Sequence, residues 1–229
     1  MVLLDADPRL ARLISGLFRK DAPQISQIVS GKLLEVCPMG FEVHILGVNY
    51  RVTLEKGEVK VHVNDPLGRS EDYTRLITYV ANALERALDG RLVNRMGKLV
   101  KLPQLPGGEA AQLYERRIVN FLVAEMDGVD PDEIRIAAEK IGGVWVNHSS
   151  ATWSIELAPL NGVRFRVAYW QGDEEISSEA AILLGEEVKD MDMPMGELIA
   201  IMEMAINRLV LFYRKTFGKR AKLFESLYL

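Results

Sequence analysis

The 229-residue chain reads as an α+β protein made of two pseudo-repeated units, each with helices and a three-stranded antiparallel meander followed by a helix. Three observations lead there. Residues 47–58, GVNYRVTLEKGE, recur 115 positions later as GVRFRVAYWQGD, with Gly, Val, Arg, Val and Gly identical and Tyr50/Phe165 and Glu58/Asp173 exchanged conservatively. Each copy stands second in a run of three segments whose apolar residues alternate, the period of a half-buried strand. After each run the apolar spacing changes to that of a helix, and at an offset of 122 Leu76, Ile77, Ala83 and Arg86 return as Leu198, Ile199, Ala205 and Arg208.

The elements follow in order. Asp7 and Pro8 suit the cap and first position of a helix over 7–18, with Leu10, Leu13, Ile14 and Leu17 on one face. A short helix is expected over 24–29. Phe41, Val43 and Ile45, then Tyr50, Val52 and Leu54, then Val59, Val61 and Val63 alternate with polar residues, and Gly47 and Gly57 punctuate the turns. Leu76, Ile77, Val80, Ala83, Leu84, Ala87 and Leu88 form a helical stripe that stops before Gly90. KLPQLPGG, with two prolines and two glycines, breaks both periods. It divides a first unit over 1–100 from a connector over 101–108 and a second unit over 109–229.

In that second unit a helix over 109–126 is expected to bury Leu113, Ile118, Phe121 and Leu122. Another begins at Asp130 and Pro131 and ends at Gly142 and Gly143. Strand alternation resumes with Trp153, Ile155 and Leu157, continues with Val163, Phe165, Val167 and Tyr169, and weakens over 176–184. A closing helix runs over 195–217. Three strands alone are marginal, so the halves are expected to share a sheet or pack their apolar faces together.

Bulk properties bound the function classes. Apolar residues make up 48%, charged residues 26%, and the net charge is −4. That acidic balance argues against nucleic acid as a partner. No long apolar run would span a membrane, the first residues lack the pattern of a signal peptide, and the lone Cys37 offers no intrachain disulfide. These features point to the cytoplasm.

Three stretches resemble a known family: GVNYRVTLEKGEV, LPGGEAAQLYERRIVNFL with the helix ending in EKIGG, and VRFRVAYWQGDEEISSEAAILL. They are similar to the prokaryotic family catalogued as domain of unknown function 3786, over about Ile25 to Tyr213, with Trp170-Gln171-Gly172-Asp173-Glu174-Glu175 as the most specific element. Two departures stand out: Ile176-Ser177 replaces an aromatic residue and proline, and Leu183-Leu184-Gly185 replaces Leu-Phe-Asp. The resemblance implies no reaction; it implies a prokaryotic setting, with an accessory role in anaerobic metabolism.

The candidate chemistry is sparse. Asp173 and Glu175, two apart on an extended segment, could converge on a cation or an acid–base site, whereas the competing reading is a solvated turn. Arg51 and Arg166 are the polar pair that the repeat keeps; they could hold an anion, or form surface ion pairs with Glu42 and Glu156. His44 and His62 lie on non-adjacent strands, about 10 Å apart at the usual strand spacing, too far to share a zinc ion. His148 beside Ser149 and Ser150 lacks the frame of a hydrolase elbow. Gly107 and Gly108 before a helix could cradle a phosphate or simply turn the chain. No residue is assigned as catalytic or as a metal ligand, and no cofactor is assigned.

Charge is segregated, with nine acids against one lysine over 171–197 and five basic residues over 214–222. Met193, Met195 and Met202 belong to a methionine-rich segment suited to adaptable packing, and the tail carries Phe217, Leu223, Phe224, Leu227 and Tyr228. Met193, Met195, Met202, Phe217 and Phe224 are therefore the interface candidates, for self-association or a protein partner. The reading favoured is a non-catalytic binding or interaction module; its competitor is an enzyme, or a metal- or anion-ligand binder, using Asp173, Glu175 and Arg166.

Overall fold

In a computed structural model, which describes residues 2–4, 7–19, 35–37, 40–93 and 95–227, helices and two antiparallel sheets form an α+β protein. The chain divides into two compact units, Met1–Asn94 with Ala158–Gly162, and Arg95–Leu157 with Val163–Leu229.

The first unit is built on a sheet of order β1-β5-β4-β3-β2. Its central meander is β3 (Gly40–Ile45), β4 (Val48–Glu55) and β5 (Glu58–Asn64), flanked by β1 (Val2–Leu4) and β2 (Glu35–Cys37). Both hairpins turn in two residues. Leu46 and Gly47 have φ of 46° and 80°, and Lys56 and Gly57 have 52° and 86°. Two successive left-handed residues match the right-handed twist of the strands, and glycine takes the second position at no steric cost.

Phe41, Val43, Tyr50, Val52, Val61 and Val63 are buried on one face, against the stripe of α2 (Ser70–Leu88). The Tyr50 hydroxyl donates to the Tyr73 carbonyl across that contact. Helix α1 (Arg9–Arg19) starts where the Asp7 carboxylate accepts the Arg9 amide, and packs on α2 with Gly16 against Leu88. The short helix expected over 24–29 lies outside the described residues.

The second unit is built on a sheet of order β6-β10-β9-β8-β7. Its meander is β8 (Trp153–Leu160), β9 (Val163–Trp170) and β10 (Glu179–Gly185), flanked by β6 (Leu99–Lys101) and β7 (Val144–Trp145). Each meander is thus widened by strands of its own, and the two lie in separate sheets, so of the two expected arrangements the shared sheet is not formed. Strand β10 starts later than the alternation from Ile176 suggested, because residues 171–178 form a closed turn.

Residues 101–108, expected as a connector, hold the end of β6, a 3-10 turn at Leu102–Gln104 and the first residue of α3 (Gly108–Met126). The Gly108 amide donates to the Leu105 carbonyl, so it is spent on the turn and not free to cradle a phosphate. Helix α4 (Pro131–Lys140) has the Asp130 cap anticipated, its carboxylate accepting the Asp132 amide at 2.9 Å. Helix α5 (Met195–Phe217) packs against α3 and α4, and its Ile201, Met202, Ala205, Ile206 and Leu209 are fully buried. Leu113 is the exception to the expected stripe of α3: it is 74% exposed, because Ala111, Ile118, Leu122 and Met126 turn the opposite side of the helix inward.

Among the described residues no helix is long and apolar enough to cross a membrane.

Candidate functional site

The motif after β9 folds as a closed turn fastened to the C-terminal end of α3. Gln171 reaches across with its whole amide: Nε2 donates to Asp127 Oδ1 at 3.0 Å and to Ser178 Oγ at 3.2 Å, and Oε1 accepts the Gly128 amide at 3.0 Å. Ser178 Oγ donates to the same Asp127 oxygen at 2.6 Å and accepts the Gly172 amide at 2.9 Å. A Cβ on Gly172 would stand 2.2 Å from the Ile176 carbonyl oxygen, so this position requires glycine.

Asp173 then closes the turn on itself. Its amide donates to the Ile176 carbonyl, and its Oδ1 accepts the amides of Glu175 and Ile176, both at 2.9 Å. Those two amides hold the carboxyl below the usual carboxylate range. The hydroxyl of Ser178 and then the amide of Gln171 do the same for Asp127. Carboxylates stabilised in the ionised form are poor proton acceptors at neutral pH, where a general base needs a pKa near the working pH.

Asp173 and Glu174 line an open recess of about 580 Å³ with Asp127, Gln171 and Ser178; Glu175 and Arg166 are not part of its wall. Glu175 is exposed on the outside of the turn. Arg166 lies on the outward face of β9, where its Nη2 is 2.9 Å from Glu156 Oε2. Arg51, on β4 of the other unit, faces its cross-strand neighbour Glu42 at 3.1 Å. The ion-pair alternative for both arginines is therefore the arrangement observed. His44 pairs with Asn49, and among the described residues no three His, Cys, Asp or Glu side chains are grouped to hold a metal ion.

Two buried charge pairs were not legible as pairs. Arg164 shares the outward face of β9 with Arg166, yet it is nearly buried because the 3-10 segment Glu186–Met191 folds over it. Its Nε meets Glu187 Oε1 at 2.7 Å, its Nη2 donates to the Gly97 carbonyl at 2.8 Å, and the Gly97 amide returns to Glu187 Oε2 at 2.9 Å. The neighbouring Glu187 carboxylate raises the Arg164 pKa further, against the opposing effect of burial.

Glu125, the acid of the second pair, stands one residue from the end of α3 and receives the tail. Arg214 Nη2 is 2.7 Å from Glu125 Oε2, and the carboxylate accepts the amides of Leu223 at 3.0 Å and Lys222 at 3.3 Å. Arg214 also donates to the carbonyls of Phe224 and Glu225, and Asn207 accepts the Leu227 amide. Residues 219–227 are thus a strap bound along α3 and α5.

Among the interface candidates, Met202 is fully buried in α5, which places it in the core of its own unit and not on the surface. Met193, Met195 and Phe217 are half-buried, the last against Tyr213. Phe224 is 54% exposed. It borders a recess of about 460 Å³ between α3 and the strap, together with Leu113, Phe121, Leu223, Leu227, Arg116 and Arg117.

Removing Glu187 with alanine should cost about 3–5 kcal/mol in urea unfolding followed by tryptophan fluorescence, because Arg164 is left buried without its main partner. Truncating Arg135, whose pairing with Asp132 is exposed, should cost no more than about 1 kcal/mol. The strap should be sensitive to acid. Burial pushes Glu125 up, but Arg214 and the amides of Leu223 and Lys222 outweigh it and hold the carboxyl below its ordinary value. A depressed folded pKa contributes stability above the unfolded value of about 4.3 and loses it as pH falls through the folded one. Exchange of the Lys222 and Leu223 amides, corrected for intrinsic rate, should accelerate in that window, and Glu125→Gln should remove the pH dependence.

No curated protein and no solved structure matches the chain. The sequence profile of the family described as a domain of unknown function (DUF3786) matches residues 21–208. That span holds the 170–175 segment, the turn it forms and the pair of Arg164 and Glu187, and it bears out the resemblance read from those residues. The chain belongs to the DUF3786 family.

Proposed function

We propose that this protein is a non-catalytic interaction module that binds a protein partner or a second copy of itself through α3 and the strap. The observation that carries this reading is the surface there. Leu113, Tyr114, Leu223 and Phe224 are 74, 59, 59 and 54% exposed, and three of them border one recess. Contiguous exposed apolar surface with a polar rim marks contact sites. By contrast, Asp173, Arg166 and Arg51 are engaged in internal hydrogen bonds or ion pairs, which supports a structural role for them. The accessory role in anaerobic prokaryotic metabolism that goes with this reading rests on the family resemblance alone.

The test is purification from the native host followed by hydrogen exchange of the free and associated protein. Protection on association is expected over 113–121 and 219–227, and Phe224→Asp should abolish it. A stoichiometric metal or small anion that leaves with Asp173→Asn or Arg166→Ala would overturn this reading in favour of a ligand-binding or enzymatic site.

We also infer that the two units descend from one duplicated α+β unit, divided near the connector over 101–108. Supporting this, Tyr50 and Val52 and the matching Phe165 and Val167 are all buried on the central strand of their own sheets, and each meander leads into a helix. Poor backbone superposition of 47–58 on 162–173 in an experimental structure would remove the inference.

A further inference from the structure

We infer that the acidic turn over 173–176 of one copy docks into the recess between α3 and the strap of a second copy, and that the two copies do so reciprocally as a twofold dimer. This rests on the interaction reading above and names its partner.

The two surfaces complement one another in chemistry. The recess has walls of Leu113, Phe121, Leu223 and Phe224, and Arg116 and Arg117 border it. Arg116 is exposed and makes no ion pair or hydrogen bond among the described residues. The turn presents the opposite: Ile176 is 66% exposed and is preceded by Glu174 and Glu175, both exposed and without partners for their carboxylates among the described residues. An aliphatic tip flanked by carboxylates fits an apolar recess flanked by arginines, an arrangement that favours correct register and fast encounter. The turn is also preorganised, since Gly172, Asp173 and Ser178 fix its backbone through internal bonds, so docking orders little that is not already ordered.

The fit works between copies. Gln171 and Ser178 anchor the turn at Asp127, just past the end of α3, so it cannot enter its own recess without breaking those bonds. Leu113, Arg116, Arg117, Asn120, Ala124 and Asp127 recur at helical spacing, so the recess and the base of the turn lie along one stripe of α3. They are separated by roughly 10 Å along the helix axis. A twofold axis crossing that stripe places each turn on the partner's recess, and the self-complementary patch closes without leaving a free end.

The experiment is sedimentation velocity of the full chain across a wide concentration range, at low and high salt. The wild type should dimerise, more weakly at high salt. Ile176→Asp, Arg116→Glu and Glu174→Arg should each weaken the dimer by about tenfold or more. Combining Arg116→Glu with Glu174→Arg should recover most of the loss. All three positions are exposed, so unchanged circular dichroism and melting temperature are expected and serve as the folding control. A dimer indifferent to all three changes would overturn this pairing while leaving self-association through another surface intact. Failure of the double variant to recover would likewise overturn it. A wild type that stays monomeric would overturn the self-association version altogether, and only a hetero-partner seen by hydrogen exchange would then sustain the interaction reading.

Discussion

Glu125 is buried near the C-terminal end of α3, the end of a helix where the backbone dipole disfavours negative charge. A carboxylate withdrawn from water there persists only if it is compensated. Arg214 supplies the countercharge from α5, and the amides of Lys222 and Leu223 supply the remaining donors from the tail. Two residues further on, Asp127 takes the side chains of Gln171 and Ser178, and Gly128 gives its amide to Gln171. One helix end therefore holds two charged segments of this unit that lack regular structure: the strap and the acidic turn. Those donors fix where both segments lie against the helix end.

The same accounting describes Asp173, Arg166 and Arg51, which are engaged within their own units. A catalytic carboxylate needs unsatisfied capacity and a pKa poised near neutrality. Asp173 has one oxygen, Oδ1, committed to two amides, and Asp127 has one, Oδ1, committed to a hydroxyl and a side-chain amide. Arg166 and Arg164 divide Glu156 and Glu187 between them. Among the described residues, Arg116 and the carboxylates of Glu174 and Glu175 beside Ile176 are exposed and unpaired, and the apolar surface of Leu113, Leu223 and Phe224 is exposed as well.

Much of the architecture is legible in the residues. Alternation locates both meanders, Asp130 with Pro131 starts α4, and the stripe over 195–217 coincides with α5. These are local signals: the side-chain period and the caps are set by neighbours within a few positions. Misreadings arise where the partner is remote. Leu113 looked like core because it is apolar, yet the inward side of α3 is set by Ile118 and Leu122, and Leu113 faces the strap instead. Arg164 alternates with Phe165 and so falls on the polar phase of its strand, yet a 3-10 segment more than twenty residues later covers it. Met202 looked available because methionines cluster around it, yet it lies on the buried side of α5.

By itself the sequence determined the α+β class, the order of the described helices and of the two meanders, and membership of the family, because each depends on periodicity or on a contiguous motif; the flanking strands β1, β2, β6 and β7 carry no such signal. Only the tertiary structure decided what the charged residues do. A glutamate in a run of acids carries no mark of being buried against an arginine on a strand, and an arginine in the last turn of a helix carries none of being the counter-ion of another helix end. Those roles follow from which groups folding removes from water together, and that is a property of the packed chain.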